Sequence, residues 1–228
     1  MKQTIVGKIG FRYIPEIERP DPKWAKKLLD YSSCNISDGL NKFYTMDCGI
    51  RQMFPARKLA GPAVTVKVRI GDNFMLHKGI SLVQPGDVLV VESQGGNSYA
   101  VCGDLMVSCM DKLGVAGIVV DGTVRDIEVL REIGMPVFAR GTVSGAGDKD
   151  GPGEVNFPVA CGGVVVNPGD LVFGDENGVV VIPRNDIEEV FAGADKKLAA
   201  EEKRHAEIAS GIYVKSGLDE VMKQKGVI

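Results

Sequence analysis

Several common chemistries have little footing in this sequence. It has only two histidines, His77 and His205, too few and too far apart for a sequence-evident zinc site. Its five cysteines, Cys34, Cys48, Cys102, Cys109 and Cys161, are odd in number and form no C-x-x-C pair. That counts against a disulfide framework and against a thiolate metal site, and the cysteines read as reduced, mostly buried thiols of a cytoplasmic protein. The net charge is −3 and no long basic run occurs, so no nucleic-acid partner is expected. No apolar run approaches the ~18 residues that span a bilayer, and the N-terminus lacks the apolar core of a signal peptide, so no membrane association is expected either. There is no G-x-S-x-G elbow, since Gly141–Gly145 has the wrong spacing, and no P-loop. No lysine lies in an evidently buried strand, which removes the sequence basis for Schiff-base chemistry.

What the chain does have is glycine. Its 228 residues include 29 glycines and only 6% aromatics, with 44% hydrophobic and 25% charged residues. That is one large globular domain with many tight turns between short strands. Residues 1–21 read as an irregular lead-in. Asp21 and Pro22 then predict a helix cap and first turn, with the helix running through Trp24–Tyr31. Ser37 or Asp38 opens a second short helix.

Ala63–Ile70 alternates, with Val64, Val66, Val68 and Ile70 on one side and Lys67 and Arg69 on the other, predicting a strand with one face exposed or at an edge. From Val88 to Arg140 apolar runs alternate with helical periodicity. Strands are expected at Val88–Val91, Ala116–Val120 and Pro136–Arg140, and helices at Leu105–Leu113 and Asp126–Ile133. This βαβαβ order favours a parallel sheet with right-handed crossovers. Phe74–Val83 is a further helical segment. Gly145–Gly153 reads as a flexible glycine-rich loop with Asp148 and Asp150. Val164–Val166, Leu171–Phe173 and Val179–Ile182 read as antiparallel strands joined by turns. Asn185 or Asp186 then caps a long, half-charged helix to about Ser210, ended by Gly211.

Two local features point to chemistry. At Gly103-Asp104-Leu105-Met106 a helix begins, with Asp104 near its cap and free backbone N–H groups on Leu105 and Met106, which suits a carboxylate. If Tyr99–Cys102 is itself helical, Asp104 falls mid-helix instead. Asp121-Gly122-Thr123-Val124-Arg125-Asp126 leaves a buried strand and enters a helix, where α/β sheets bind ligands. Arg125 offers a planar fork for a carboxylate or keto oxygen, and Asp126 offers hard oxygens suited to Mg2+ or Mn2+. Twenty residues separate Asp104 from Arg125. That is one helix plus one strand, so both can lie at the same sheet edge.

Ala60-Gly61-Pro62-Ala63, the run Gly103–Asp126, Pro136–Gly141, Pro168-Gly169-Asp170 and Gly174–Val179 with Pro183 together resemble the RraA-like family over about residues 33–184. The resemblance implies an α/β fold, a three-layer β/β/α swivelling-type domain with a long C-terminal helix. It divides the chain into a lead-in and helix (1–32), a catalytic domain (33–184) and a C-terminal helical extension (185–228). It implies a homo-oligomer, trimer or hexamer, acting on a small-molecule 2-keto acid. The activity it implies is divalent-metal-dependent cleavage of 4-hydroxy-4-methyl-2-oxoglutarate to pyruvate, with oxaloacetate decarboxylation beside it. By resemblance, Asp126 is the one direct protein ligand of Mg2+ or Mn2+. Arg125 meets the pyruvyl end, Gly103 and the N–H groups of Leu105 and Met106 hold the carboxylate, and Asp104 orients a water. Glu201, with Glu202 adjacent as the alternative, lies where a neighbouring subunit's carboxylate is expected, and Asp38 of the N-terminal segment is a further candidate. The same family holds regulators of ribonuclease activity, so a protein-binding regulator with a vestigial site is the alternative, and a different 2-keto acid substrate is a third reading.

Overall fold

The computed structural model describes residues 4–214 and 216–228. The strands are β1 (Val6–Lys8), β2 (Phe11–Tyr13), β3 (Arg51–Gln52), β4 (Leu59–Val68), β5 (Val88–Cys102), β6 (Gly117–Val124), β7 (Val137–Thr142), β8 (Gly153–Val155), β9 (Val159–Cys161), β10 (Val164–Val166), β11 (Leu171–Asp175) and β12 (Gly178–Ile182). The helices are α1 (Pro22–Leu28), α2 (Ser33–Gly39), α3 (Phe74–Ile80), α4 (Asp104–Lys112), α5 (Ile127–Ile133), α6 (Ile187–Ala209) and α7 (Leu218–Gln224).

The main sheet runs β1-β2-β8-β4-β5-β6-β7-β3, and its centre is parallel: β4 with β5, β5 with β6, β6 with β7. The expected βαβαβ unit is there, and the period-2 alternation explains its layering. Val64, Val66, Leu89, Val91, Ile118 and Val120 turn to one face and pack under Leu76, Met106, Val107, Met110 and Leu130 of α3, α4 and α5. Ala63, Val88, Val90, Val119 and Phe138 turn to the other face and meet β9–β10 and the β11–β12 hairpin through Val159, Val166, Val172 and Val181. The result is a helix layer on a sheet on a second β layer, the architecture that the resemblance implies. The far side of β11–β12 is covered in turn by α1, α2 and α6, with Phe173, Val180 and Ile182 against Leu28, Ile36, Val190 and Phe191. Among the described residues no helix is long and apolar enough to cross a membrane.

Several elements differ from the reading of the sequence. The lead-in is not irregular: β1 and β2 form a hairpin, and β2 runs parallel to β8. Helix α1 is capped by Asp21, whose side chain accepts the Lys23 N–H at 2.9 Å, but it stops at Leu28. Helix α2 opens at Ser32, which accepts the Asn35 N–H at 3.2 Å, so Asp38 lies in its last turn and not at its cap. Strand β4 is central, bonded to β5, β8 and β11, and its middle is buried on both faces. Lys67 reaches the surface only at the strand end, and Ile70 lies outside the strand, half-exposed. Strand β10 pairs with β9 and not with β11. Residues Tyr99–Cys102 are strand, which puts Asp104 in the first turn of α4.

Helix α2 is tied to the hairpin beneath it by one buried carboxylate. Asp175, 7% exposed, accepts the Ser33 N–H at 2.8 Å, the Ser33 hydroxyl at 2.7 Å and the Asn177 N–H at 2.9 Å. Burial alone raises the Asp175 pKa, but the hydrogen bonds from Ser33 and Asn177 outweigh it and hold the group below the ordinary carboxylate value. Its contribution to stability is therefore complete above the unfolded-state value of about 3.9 and is lost as pH falls through the lower folded-state value. Asp175→Ala leaves buried donors unpaired and is expected to cost about 1–3 kcal/mol in chemical denaturation at pH 7. The difference from the parent should shrink as the pH is taken below 4.

Candidate active site

The site is built where two neighbouring strands end together. β5 and β6 stay paired to their last residues, Cys102 opposite Val124, and the Arg125 N–H donates to the Cys102 carbonyl at 3.1 Å. Gly103 and Arg125 thus leave the sheet side by side. Gly103 caps α4, and Asp126 turns the chain into α5 with φ +61° and ψ 38°. That left-handed conformation is uncommon for a residue with a side chain and clusters at functional sites. It brings the Asp126 carboxylate back over the start of α4. Oδ2 accepts the Asp104 N–H at 3.3 Å and lies 3.2 Å from Arg125 Nε. Both contacts fall on Oδ2 and leave Oδ1 for another ligand. Gly103 is required by space: a Cβ there would overlap Asp126 Oδ2 and stand 3.0 Å from Arg125 Cγ.

Other acidic side chains at the same edge are already engaged. Asp121 pairs with Arg140 and accepts the Gly162 N–H at 3.0 Å. Glu92 pairs with Lys67 at 2.7 Å and accepts the Ala160 N–H at 2.9 Å. These bonds hold β9 and the turn after it. Asp104, Arg125 and Asp126 are the charged set not committed to the fold.

Asp104 and Arg125 line a cleft of about 160 Å3 together with Gly103, Leu105 and Met106, with Cys102 in its wall, and Asp126 touches both from beside it. The size suits a small acid, being below the roughly 300 Å3 at which pockets for larger ligands begin. The first intrahelical bond of α4 runs from the Val107 N–H to the Gly103 carbonyl at 3.1 Å. The N–H groups of Leu105 and Met106 have no acceptor among the described residues and sit at the positive end of the helix. Burial, and after it the Asp126 charge, push the Cys102 thiol up to about 12, so it stays protonated and is not a nucleophile. A larger groove of about 510 Å3 along Ile9, Arg12 and Phe157 shares no lining residue with this cleft and carries none of the three charged residues.

The donor set fits a hard divalent ion. Asp126 offers a free carboxylate oxygen beside Asp104, and among the described residues no group of three or more His, Cys, Asp or Glu forms a closed cage. Mg2+ is commonly held in this way, by one or two carboxylates with water and substrate oxygens completing the shell.

Two candidates lie elsewhere. Asp38 pairs with Lys197 at 3.1 Å, and Glu201 accepts the Asn35 side-chain amide at 3.2 Å, on the face where α2 meets α6. Neither lines this chain's own cleft. Three polar lining side chains were given no role from sequence: Asn73, His77 and Lys149. Asn73 is 7% exposed; its Nδ2 donates to the Val101 carbonyl at 3.0 Å, while its Oδ1 has no partner. Lys149 comes from the glycine-rich loop, which is pinned: the loop's Asp150 and Gly151 N–H groups both donate to buried Asp72 at 2.8 Å. A glycine-rich stretch containing a lysine was the available signal, and its partner α3 was not legible from spacing.

Residues 33–181 match the RraA-like family, described as Aldolase/RraA. The chain belongs to that family. It is 40% identical over 177 residues, covering 78% of this chain and 84% of the relative, to a Halalkalibacterium halodurans protein named "Putative 4-hydroxy-4-methyl-2-oxoglutarate aldolase". Among solved structures it resembles Streptomyces coelicolor RraAS2, titled an unusual member of the RNase ES inhibitor RraA protein family. That likeness has 34% identity and a TM-score of 0.75, covering 83% of this chain and 99% of that one. An uncharacterized protein from Pseudomonas syringae superimposes with the same TM-score of 0.75 at 26% identity, covering 86% of this chain and 96% of that one. The likenesses show an RraA-like fold.

Gly103→Ala tests the geometry directly. The added methyl displaces Asp126 and Arg125 without straining the backbone, so activity is expected to fall about a hundredfold or more. The melting temperature should change little by comparison.

Proposed function

We propose that this protein is a divalent-metal-dependent lyase that cleaves 4-hydroxy-4-methyl-2-oxoglutarate, or a related 4-hydroxy-2-keto acid, to pyruvate by retro-aldol reaction, and that it also decarboxylates oxaloacetate. The observation that carries this reading is that Asp104 and Arg125 line one cleft beside two free helix N–H groups, with the Asp126 carboxylate in contact with both residues. Asp126, with Asp104 nearby, would hold Mg2+ or Mn2+. A bound divalent ion supplies Lewis-acid polarisation of the 2-keto oxygen.

The chain's own groups account for the remaining work. The substrate's C1 carboxylate is received by the Leu105 and Met106 N–H groups beside Gly103. Arg125 places its positive charge where the keto oxygen becomes an enolate oxygen, so its attraction grows toward the transition state. Asp104 orients a water that removes the C4 hydroxyl proton. The C3–C4 bond then breaks, C4 becomes a carbonyl carbon, and the bonding pair passes into the C2–C3 enolate. A proton returned to C3 completes pyruvate. From oxaloacetate, loss of the C4 carboxylate as CO2 gives the same enolate, so only the second half is needed. Asp38 and Glu201 are the residues that a neighbouring copy would bring to the cleft in a trimer or hexamer.

The second reading, a ribonuclease regulator, draws on the likeness to RraAS2. The uncommitted charged set at the cleft, Asp104 and Arg125 in its lining and Asp126 against both, favours the enzyme, because a protein-binding surface has no need of it.

Pyruvate release from both acids is to be followed with Mg2+ and with chelator. Metal-dependent turnover is expected, falling at least a thousandfold in Asp126→Ala and about a hundredfold in Arg125→Lys, which loses the planar fork. A folded, metal-supplied protein that releases no pyruvate from either acid would overturn the proposal.

A further inference from the structure

One buried aspartate outside the cleft joins two parts of its lining. Besides the ends of β5 and β6, that lining comes from the start of α3, with Asn73 and His77, and from the loop after β7, with Gly147 and Lys149. The first half of the loop is held by β5. The Ala100 N–H donates to the Gly145 carbonyl at 2.7 Å, and the Gly147 N–H donates to the Ala100 carbonyl at 3.1 Å. The second half, beyond Lys149, has a different anchor. Asp72 is fully buried, and its Oδ2 accepts the Asp150 and Gly151 N–H groups, each at 2.8 Å. Its Oδ1 accepts the Phe74 N–H at 2.8 Å, at the start of α3. Each oxygen thus serves one element.

The junction is closed by the main chain. The Asn73 N–H donates to the Asp148 carbonyl at 2.9 Å, and the Asp148 N–H donates to the Gly71 carbonyl at 2.7 Å. The Asn73 side chain donates to the Val101 carbonyl at 3.0 Å, which ties the junction to the strand end from which Gly103 leaves. Burying a carboxylate so completely is costly, and its ion pair with half-exposed Arg69 is long, at 3.8 Å. An amide would not serve as well. Three N–H groups from two elements need two acceptor oxygens, and asparagine has one. The charge is therefore kept for geometry. Partial enclosure by the cleft, and after it the Lys149 charge, lower the His77 pKa from its ordinary value, which registers how near the two elements stand.

We infer that Asp72 is a positioning residue for the active cleft: its two oxygens hold α3 and the loop after β7 in one register, and so fix where His77 and Lys149 stand relative to Asp104 and Arg125. That the cleft forms pyruvate rests on the lyase reading, while the clamp does not. A misplacement of about 1 Å at a reacting centre can cost roughly a hundredfold, so a residue that touches no substrate can still govern the rate.

Asp72→Asn tests it, because the amide keeps the size of the side chain but sets an NH2 group against the N–H donors of one element. Two readouts are taken well below its melting temperature with Mg2+ present. The first is NMR titration of His77, assigned with His77→Gln, since the chain has only one other histidine. The His77 pKa is expected to rise toward its ordinary value as Lys149 moves away. The second is kcat/KM for pyruvate release, expected to fall about tenfold to a hundredfold. A variant that melts earlier yet keeps the parent's His77 titration and kcat/KM would show that Asp72 serves stability alone, and the inference would be wrong. A shifted titration with no pyruvate formed by either protein keeps the clamp and removes only the lyase reading. If the variant does not fold, hydrogen exchange in the parent decides. The Phe74, Asp150 and Gly151 amides should exchange together, and far more slowly than the Lys149 amide, which has no acceptor among the described residues. Asp150 and Gly151 amides that exchange as fast as that of Lys149 would overturn the clamp.

Discussion

The site depends on one ladder contact at the end of the parallel sheet, the hydrogen bond from the Arg125 N–H to the Cys102 carbonyl. It keeps β5 and β6 together to their last residues, although the pairing is interrupted by irregularities between Glu92 and Cys102. Without that late re-registration, Gly103 and Arg125 would leave the sheet at different heights. The Asp126 carboxylate could not then reach the first N–H of α4. Three facts therefore belong to one constraint: the shared strand end, the side-chain-free Gly103, and the left-handed Asp126. Each is locally unremarkable or unfavourable, and each is satisfied only in the presence of the others.

Around that constraint the molecule separates structural from chemical charge. Glu92, Asp121 and Asp175 are buried carboxylates whose oxygens are engaged by backbone or basic partners. Glu92 and Asp121 attach the second β layer to the main sheet, and Asp175 attaches α2 to the β11–β12 hairpin. Asp104, Arg125 and Asp126 are more exposed and keep unspent hydrogen-bonding capacity. A buried carboxylate with all its partners in place is a fastener, while a half-exposed one facing a helix N-terminus is available to a ligand.

Much of this was legible in the sequence where a period carried it. Val88–Val91, Ala116–Val120 and Pro136–Arg140 declared the parallel core, and the spacing of Asp104 from Arg125 allowed both to lie at the same sheet edge. What failed had physical reasons. β1 and β2 are three-residue strands with little burial, too short to show alternation, and they exist because β8 offers an edge to β2. β4 was misjudged because Lys67 and Arg69 fall where the strand emerges from the core, and they looked like an exposed face. The φ of Asp126 has no sequence signal, and neither does the meeting of His77 with Lys149, since the clamp that joins their elements is a single aspartate close to His77 but far from Lys149 in the chain.

That clamp has a thermodynamic consequence. A loop already fastened through Asp72 does not fold when a ligand arrives, so little backbone is ordered and little apolar surface changes hands. Association at this cleft should carry a small heat-capacity change, in contrast to sites that close a lid over their ligand. Its affinity would then vary gently with temperature, set by charges meeting charges on a surface that was waiting in place.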